Sequence, residues 1–387
     1  MKAISVLGST GSIGRQTLDV AKRLGIKVRA LAAYRNLELL VQQSREFRPA
    51  LVAVGDASLE EQARQEFAKL DPGIKVFFGA RGVTEAAADD GADIVVNALV
   101  GAAGIEPTLA AIEAGRDVAL ANKETLVAAG ALVLEAASRR GATIRPVDSE
   151  HSAVWQCLAG QDRKALRRII LTASGGPFRD RADFSGITVE EALAHPNWRM
   201  GPKISVDSAT MINKALEVVE ARWLFDVTPD QIEVVVHRQS VVHSMVELVD
   251  GSIVAQLGSA DMRGAIQYAL TYPERFPSPV QPMSFASKLE LTFEPPDLRR
   301  FPGAGFGHIA LELGGVAPAV MSAANEEAVR LFLEGRIEFR DIAPLVADAM
   351  RSAAPVPRPT LGQILSADSW AREYVRGRCG ACTPSHS

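Results

Sequence analysis

The chain has 387 residues, 47% of them hydrophobic and 23% charged, with a formal net charge of -4. That length predicts two or three domains, and the slight acidity offers no basic surplus for a nucleic acid or an anionic membrane. Three cysteines make no disulfide framework, and the most apolar stretch, 94–105, is too short to span a bilayer and contains Asn97. The first residues run straight into a strand without the features of a signal peptide, so a cytoplasmic location is expected.

Residues 2–7 read as a buried strand, followed at once by Gly8-Ser-Thr-Gly-Ser-Ile-Gly14 and by helical spacing over 16–24. Strand, glycine-rich turn and helix is the setting a dinucleotide site requires. Glycines admit a pyrophosphate close to the backbone, and the helix start supplies donors and a positive dipole end. The spacing is G-x-x-G-x-x-G, and the alternative is an ordinary tight turn. A second strand, 27–33, ends in Tyr34-Arg35-Asn36 with no acid for a ribose diol. Arg35 and Asn36 suit a 2′-phosphate, which favours NADP; the alternative makes Arg35 a solvated loop charge. Apolar runs at 51–54, 75–78, 94–98 and 118–121, with helical stretches such as 59–70 and 107–114 between them, predict a parallel, doubly wound sheet. The last run leads into Asn122-Lys123-Glu124, outside a strand's carboxyl end, where ligands bind. Lys123 is thus a candidate for the substrate or nicotinamide pocket, against a reading in which Asn122 caps a helix and Lys123 is exposed.

Val147-Asp148-Ser149-Glu150-His151 carries two carboxylates two residues apart. If 145–150 ends a strand, both lie on one face, and a hard cation would relieve their repulsion. The alternative is a solvated loop. A helix over 152–158 and a strand over 167–172 follow, the strand ending in Ser174-Gly-Gly-Pro177, which leaves room for an anion or a closing loop. Residues 178–201 read as a loop with a short helix at 189–194, and with His195-Pro-Asn-Trp198-Arg-Met-Gly201 they suit a lid. Next come a short strand at 203–206 and a helix over 210–225, with Asp207 or Ser208 as its cap and Ile212, Leu216, Val219 and Trp223 in one stripe. Ser208 then sits at an anion-favouring helix start. Asn213 and Glu217 lie one turn apart beside Lys214, and alone Lys214 and Glu217 read as an exposed ion pair. Runs at 233–237, 242–249 and 252–257, the last two joined by Asp250-Gly251, predict a second sheet whose apolar face suits a dimer surface. His237 and His243 read as structural.

Prolines mark a linker over 276–300 with a strand at 289–293, and four helices, 307–313, 317–334, 339–351 and 360–375, predict a small bundle. Cys157 reads as a small buried hydrophobe. Cys379-Gly-Ala-Cys382 is half of a zinc-site spacing with only His386 nearby, which favours a disordered tail.

Taken in order, these motifs resemble the 1-deoxy-D-xylulose-5-phosphate reductoisomerase family. The resemblance rests on Gly8–Gly14, Ala121–Glu124, Pro146–His151, Ser174–Phe178, His195–Trp198, Lys203–Met211, Asn213-Lys214, Glu217, Glu220–Phe225 and the block from His243 to Arg263. It implies an α/β chain: a Rossmann-like NADPH-binding domain (1–147), a central α+β catalytic domain (148–275) with a lid at about 178–201, the linker, and a C-terminal helical domain (301–387). It implies that Asp148, Glu150 and Glu217 hold a divalent metal (Mg, Mn or Co) and form the catalytic set with Lys123. Ser149 and Lys123 would face substrate hydroxyls and nicotinamide; Ser174, His195, Trp198, Ser208, Asn213 and Lys214 would surround the substrate, mostly its phosphate. Thr10, Gly11, Ser12, Ile13, Arg35, Asn36, Asn122, Glu124 and Gly201 would contact NADPH. It further implies a homodimer that rearranges 1-deoxy-D-xylulose 5-phosphate by retro-aldol cleavage and aldol recombination, then reduces the aldehyde to 2-C-methyl-D-erythritol 4-phosphate. Tyr34 stands where the family often has glycine, and Arg238 where proline is common. Two alternatives remain: another NADP-dependent dehydrogenase of a small phosphorylated substrate, opposed by the phosphate-binding set, and an inactive NADP-binding sensor, opposed by the intact carboxylates.

Overall fold

The computed structural model describes residues 2–198 and 200–379. In chain order these form β1 (Ile4–Leu7), α1 (Ser12–Leu24), β2 (Val28–Ala33), α2 (Leu37–Phe47), β3 (Leu51–Val54), α3 (Glu60–Leu70), β4 (Lys75–Phe78), α4 (Gly79–Ala87), β5 (Ile94–Asn97), α5 (Ile105–Glu113), β6 (Asp117–Leu120), α6 (Lys123–Arg140) and β7 (Ile144–Pro146). Then come α7 (Ser149–Cys157), β8 (Leu166–Ala173), α8 (Val189–Leu193), α9 (Pro202–Ala209), α10 (Ile212–Phe225), β9 (Ile232–Val236), β10 (Val242–Leu248), β11 (Ile253–Leu257), α11 (Met262–Thr271), α12 (Phe306–Leu313), α13 (Ala317–Leu333), α14 (Ile342–Ser352) and α15 (Leu361–Cys379). Packing divides the chain into two units. The first holds the residues up to Thr125, Ala131–Ser152 and Asp261–Gln281; the second holds Leu126–Gly130, Ala153–Ala260 and the residues from Pro282 on.

The first unit is the doubly wound fold that the apolar runs predict. Seven parallel strands stand in the order β4-β3-β2-β1-β5-β6-β7. The residues of β1, β3 and β5 are buried on both faces, which is why these strands are short unbroken apolar runs, while edge strand β4 is only half-buried and starts at the exposed Lys75. Strand order reverses at β1, between β2 and β5, the topological switch point where ligands bind. The chain turns there with no room to spare: Gly8 has φ +81°, and a Cβ on it would lie 2.4 Å from the Ala98 carbonyl oxygen. Segment 261–281, placed by sequence with the central stretch, packs with this unit, where α11 lies on α1 and Arg263 bonds Asp19 at 3.0 Å.

The second unit has its own sheet in the order β11-β10-β8-β9. β10 is antiparallel to β8 and β11, while β8 and β9 are parallel. The Asp250-Gly251 turn closes the predicted hairpin, with Gly251 at φ +86°. α10 is buried on nearly every face; α12 comes so close that a Cβ on Gly307 would meet the Ala215 oxygen at 2.3 Å. Phe178, Phe184, Phe301 and Phe339 form an edge-packed aromatic cluster that anchors the start of the 178–201 segment.

Four local expectations are corrected. Residues 203–206 are not a strand but part of α9, which opens on Pro202 after an extended Gly201. Four apolar-rich residues are too few for periodicity to decide, and Pro at the first turn favours helix. α10 therefore starts at Ile212, after Met211 at φ +59°, so neither Asp207 nor Ser208 caps it. The strand at 289–293 does not form; an isolated bridge joins Val236 to Glu294 instead. β7 stops at Pro146, so Asp148 and Glu150 do not share a strand face. Among the described residues no helix is long and apolar enough to cross a membrane. Cys382 and His386 lie outside the described residues.

Candidate active site

At the switch point, α1 begins at Ser12 with Gly11 as its cap residue, no side-chain cap and no acid in its first turn. Its first amides thus have no side-chain acceptor and face an anion with a favourable dipole. Thr10, Gly11, Ser12 and Ile13 lie on this turn, the first and last half-buried and the middle two exposed. Behind the turn, buried Ser9 is gripped by Gln43 of α2: Ser9 Oγ donates to Gln43 Oε1 at 2.8 Å, and Gln43 Nε2 donates to the Ser9 carbonyl at 2.9 Å. Arg35 is 70% exposed, but its Nε donates to Asp56 at 2.5 Å, so it is not a free loop charge. The guanidinium also lies 5.4 Å over the exposed Tyr34 ring. Asn36 caps α2, accepting from the Leu39 amide at 3.1 Å.

Asn122 caps α6, as the alternative reading had it, accepting from the Thr125 amide at 3.0 Å. Its Nδ2 ties down the loop after β5 through the Leu99 and Gly101 carbonyls at 2.9 and 3.1 Å and also meets Glu124 Oε2 at 3.2 Å. Lys123 is not exposed. Its ammonium lies 2.5 Å from Asp148 Oδ2, with the two side chains 7% and 10% exposed. Burial alone would push the Asp148 carboxyl up, but the Lys123 ammonium, then His151, hold it well below the usual carboxylate range. Asp148 sits at the helix-capping position before α7, its Oδ1 accepting from the Glu150 amide at 3.3 Å. Glu150, in the first helical turn, accepts from Ser149 Oγ at 2.5 Å. A helix start rather than strand alternation thus brings the two carboxylates together. They offer oxygen ligands only, and one is firmly ionised, which fits a hard divalent cation.

In the second unit, candidate site residues gather at the carboxyl end of β8. Ser174 Oγ lies 2.9 Å from His195 Nε2, while His195 Nδ1 accepts the Asn197 and Trp198 amides at 3.2 and 3.0 Å. A ring nitrogen accepting two N–H groups carries no proton, which assigns the His195 proton to Nε2 and makes Ser174 its acceptor. Trp198 is half-buried, 5.9 Å from the His243 ring. Gly176, at φ +71°, lets α9 approach, since a Cβ there would lie 2.7 Å from the Ser208 carbonyl. Ser208 is half-buried in the last turn of α9. Lys214 donates to the Thr172 carbonyl and to Glu217 Oε2, both at 2.6 Å, and Asn213 donates to Glu217 Oε1 at 2.5 Å. The expected surface pair is therefore a buried one, with side chains 5% and 1% exposed. Gly201 precedes α9 and is exposed. His237 is structural: its ring meets the Thr292 carbonyl at 2.8 Å and stacks on Phe293.

Models of 1-deoxy-D-xylulose 5-phosphate reductoisomerase and of its C-terminal domains match residues 4–130, 144–225 and 257–374. The chain belongs to the 1-deoxy-D-xylulose 5-phosphate reductoisomerase family. The reductoisomerase of Symbiobacterium thermophilum is 53% identical over 97% of this chain and 98% of its own. That of Geobacter metallireducens is 51% identical over 98% and 100%. Among solved structures, the Zymomonas mobilis reductoisomerase in complex with NADPH superposes with a TM-score of 0.90 at 42% identity, covering 98% of this chain and 99% of its own. A DOX-P reductoisomerase in complex with NADPH, fosmidomycin and magnesium gives 0.93 at 38% identity, covering 98% of each chain.

Three further residues of this chain that hold the candidate site escaped the sequence reading. Gln43 grips the glycine turn, Asp56 after β3 pairs with Arg35, and Asn325 of α13 donates to Asp207 of α9 at 2.7 Å. Each acts across a long sequence separation. Only Asp56, with one residue between it and the apolar strand at 51–54, carried a usable signal: the position outside a strand's carboxyl end.

Proposed function

We propose that this chain converts 1-deoxy-D-xylulose 5-phosphate into 2-C-methyl-D-erythritol 4-phosphate, with NADPH as reductant and a divalent metal as cofactor. The observation that carries the reading is that Asp148 and Glu217, the carboxylates that the resemblance assigns to the metal, are buried groups matched to lysines, Asp148 with Lys123 and Glu217 with Lys214. Burying such charges is costly for stability alone, which supports a role in chemistry.

Asp148, Glu150 and Glu217 would hold the metal (Mg, Mn or Co). When bound, the metal stabilises negative charge on substrate oxygens. Lys123, fixed by Asp148, presents an ammonium where substrate hydroxyls and nicotinamide bind, and Ser149 offers a hydroxyl beside Glu150. Ser174, Ser208, Asn213 and Lys214 bind the phosphate, with the His195 Nε2 proton available to it through Ser174. Residues 178–201, with Trp198, close over the substrate and exclude water. Thr10 to Ile13 and Gly201 contact the dinucleotide along with Asn122 and Glu124, and Arg35 and Asn36 its 2′-phosphate. The roles divide along the chain as cofactor domain (1–147), catalytic domain (148–275), linker (276–300) and helical support (301–387). The enzyme works in the cytoplasm as a homodimer; the exposed side chains of Ile253 and Leu257 on edge strand β11 support that assembly. The test is NADPH oxidation by the purified chain with 1-deoxy-D-xylulose 5-phosphate, with magnesium or with chelator. Metal-dependent turnover, inhibited by fosmidomycin, is expected; oxidation of NADPH by simple aldehydes but not by this sugar phosphate would overturn the reading.

A further inference from the structure

We infer that Gln43 is the positioning residue of the pyrophosphate turn, acting on NADPH through Ser9; the inference rests on the NADPH reading above. Ser9 is fully buried and all its polar groups are committed inward. Its amide donates to the Ala32 carbonyl at 2.8 Å, its hydroxyl to Gln43 Oε1 at 2.8 Å, and its carbonyl accepts from Gln43 Nε2 at 2.9 Å. On the other side α1 presses against it: a Cβ on Gly14 would lie 2.2 Å from the Gly8 oxygen and 2.5 Å from the Ser9 Cα. The Ser9 peptide therefore cannot rotate, and the residues after it, Thr10 to Ile13, start from a fixed edge. That matters because α1 has no side-chain cap to hold its first amides in place. A buried glutamine must find partners somewhere, and a core role would be met by any of them. Here both ends of one amide are spent on one residue of the turn. The pyrophosphate is common to NADPH and NADH, so the two cofactors should depend on Gln43 alike, unlike their dependence on Arg35.

The test is fluorescence titration of the full chain with NADPH and with NADH, alongside thermal melting, for wild type, Gln43→Leu, Gln43→Glu, Ser9→Ala and Ser9→Ala with Gln43→Leu. Gln43→Glu keeps the acceptor for Ser9 Oγ but sets an oxygen against the Ser9 carbonyl, and serves if the leucine variant does not fold. At a temperature where each variant is folded, loss of two hydrogen bonds should raise both dissociation constants by about tenfold. The double variant should be no worse than Gln43→Leu alone, because the two residues act as one unit. A lowered melting temperature with unchanged dissociation constants would overturn the inference and leave Gln43 a core residue. So would a loss confined to NADPH, or additive losses in the double variant. A wild-type chain that binds neither nucleotide would overturn the NADPH reading itself.

Discussion

Lys214→Met is the substitution that most directly separates stability from chemistry in the second unit. Lys214 and Glu217 lie 2.6 Å apart with 5% and 1% of their side chains exposed. Removing the lysine takes from a buried carboxylate its cationic partner, a change that costs about 3–5 kcal/mol. Against a total stability of about 5–15 kcal/mol, that is a large loss. Lys214→Met with Glu217→Gln removes both charges. The new side-chain amide keeps an oxygen to accept from Asn213, which donates to Glu217 Oε1 at 2.5 Å in the native chain. The double variant should recover about 2–3 kcal/mol relative to the single one. Urea unfolding in chelator measures both. Magnesium then tests the proposed ligand role of Glu217: at a hundredfold excess over its dissociation constant a ligand stabilises by about 2.7 kcal/mol, and only a chain that keeps the carboxylate should respond fully. Equal instability of single and double variants would refute the buried-pair argument. Equal magnesium responses would refute the ligand assignment.

Three other outcomes are expected. Arg35→Ala should raise the Michaelis constant for NADPH by about tenfold and leave NADH nearly unchanged, since a charge-assisted contact to the 2′-phosphate is lost; equal losses would place Arg35 elsewhere. Burial pushes the Cys157 thiol up to about 11, so iodoacetamide at pH 8 should alkylate it only after unfolding, as read by peptide mass mapping. Burial alone would push the Glu327 carboxyl up, but Arg330 and Arg376 hold it below its usual value. Its stabilising effect is therefore complete above the unfolded carboxylate value of about 4.3 and lost as pH falls through the lower folded one, so Glu327→Gln should flatten the acid limb of stability against pH.

Much of the first unit could be read from sequence because a parallel sheet buried on both sides writes itself as apolar runs. The runs at 51–54 and 94–98 coincide with the fully buried β3 and β5. The glycine turn was equally plain, since Gly8 and Gly14 stand where backbone atoms leave no room for a Cβ. What periodicity could not give was the state of short mixed segments. Lys203-Ile-Ser-Val206 alternates like a strand, yet Pro202 and the Lys203–Asp207 bond at 2.8 Å fix it as helix. That one error moved Ser208 from a helix start to a helix end.

The buried Lys214–Glu217 pair was missed for a different reason, one that can be turned into a rule. Read as a stripe, Ile212, Leu216, Val219 and Trp223 suggest one buried face and leave the charges to solvent. But Ala215, Val218 and Ala221 fill the gaps between stripe positions, so small or apolar residues occur all round α10. A helix with apolar residues on most faces is largely enclosed, and most of the charges within it are enclosed too, Arg222 near its end being the partly exposed one. Lys214, Glu217 and Glu220 are all buried. Asp148 and Lys123 follow the same logic, each standing at the edge of an apolar segment rather than in a polar loop. A charge in an enclosed setting is kept only with a partner, Glu327 with Arg330 and Arg376 and Glu217 with Lys214. Enclosure is therefore legible from the residues that fill the gaps of the stripe, not from the charges themselves.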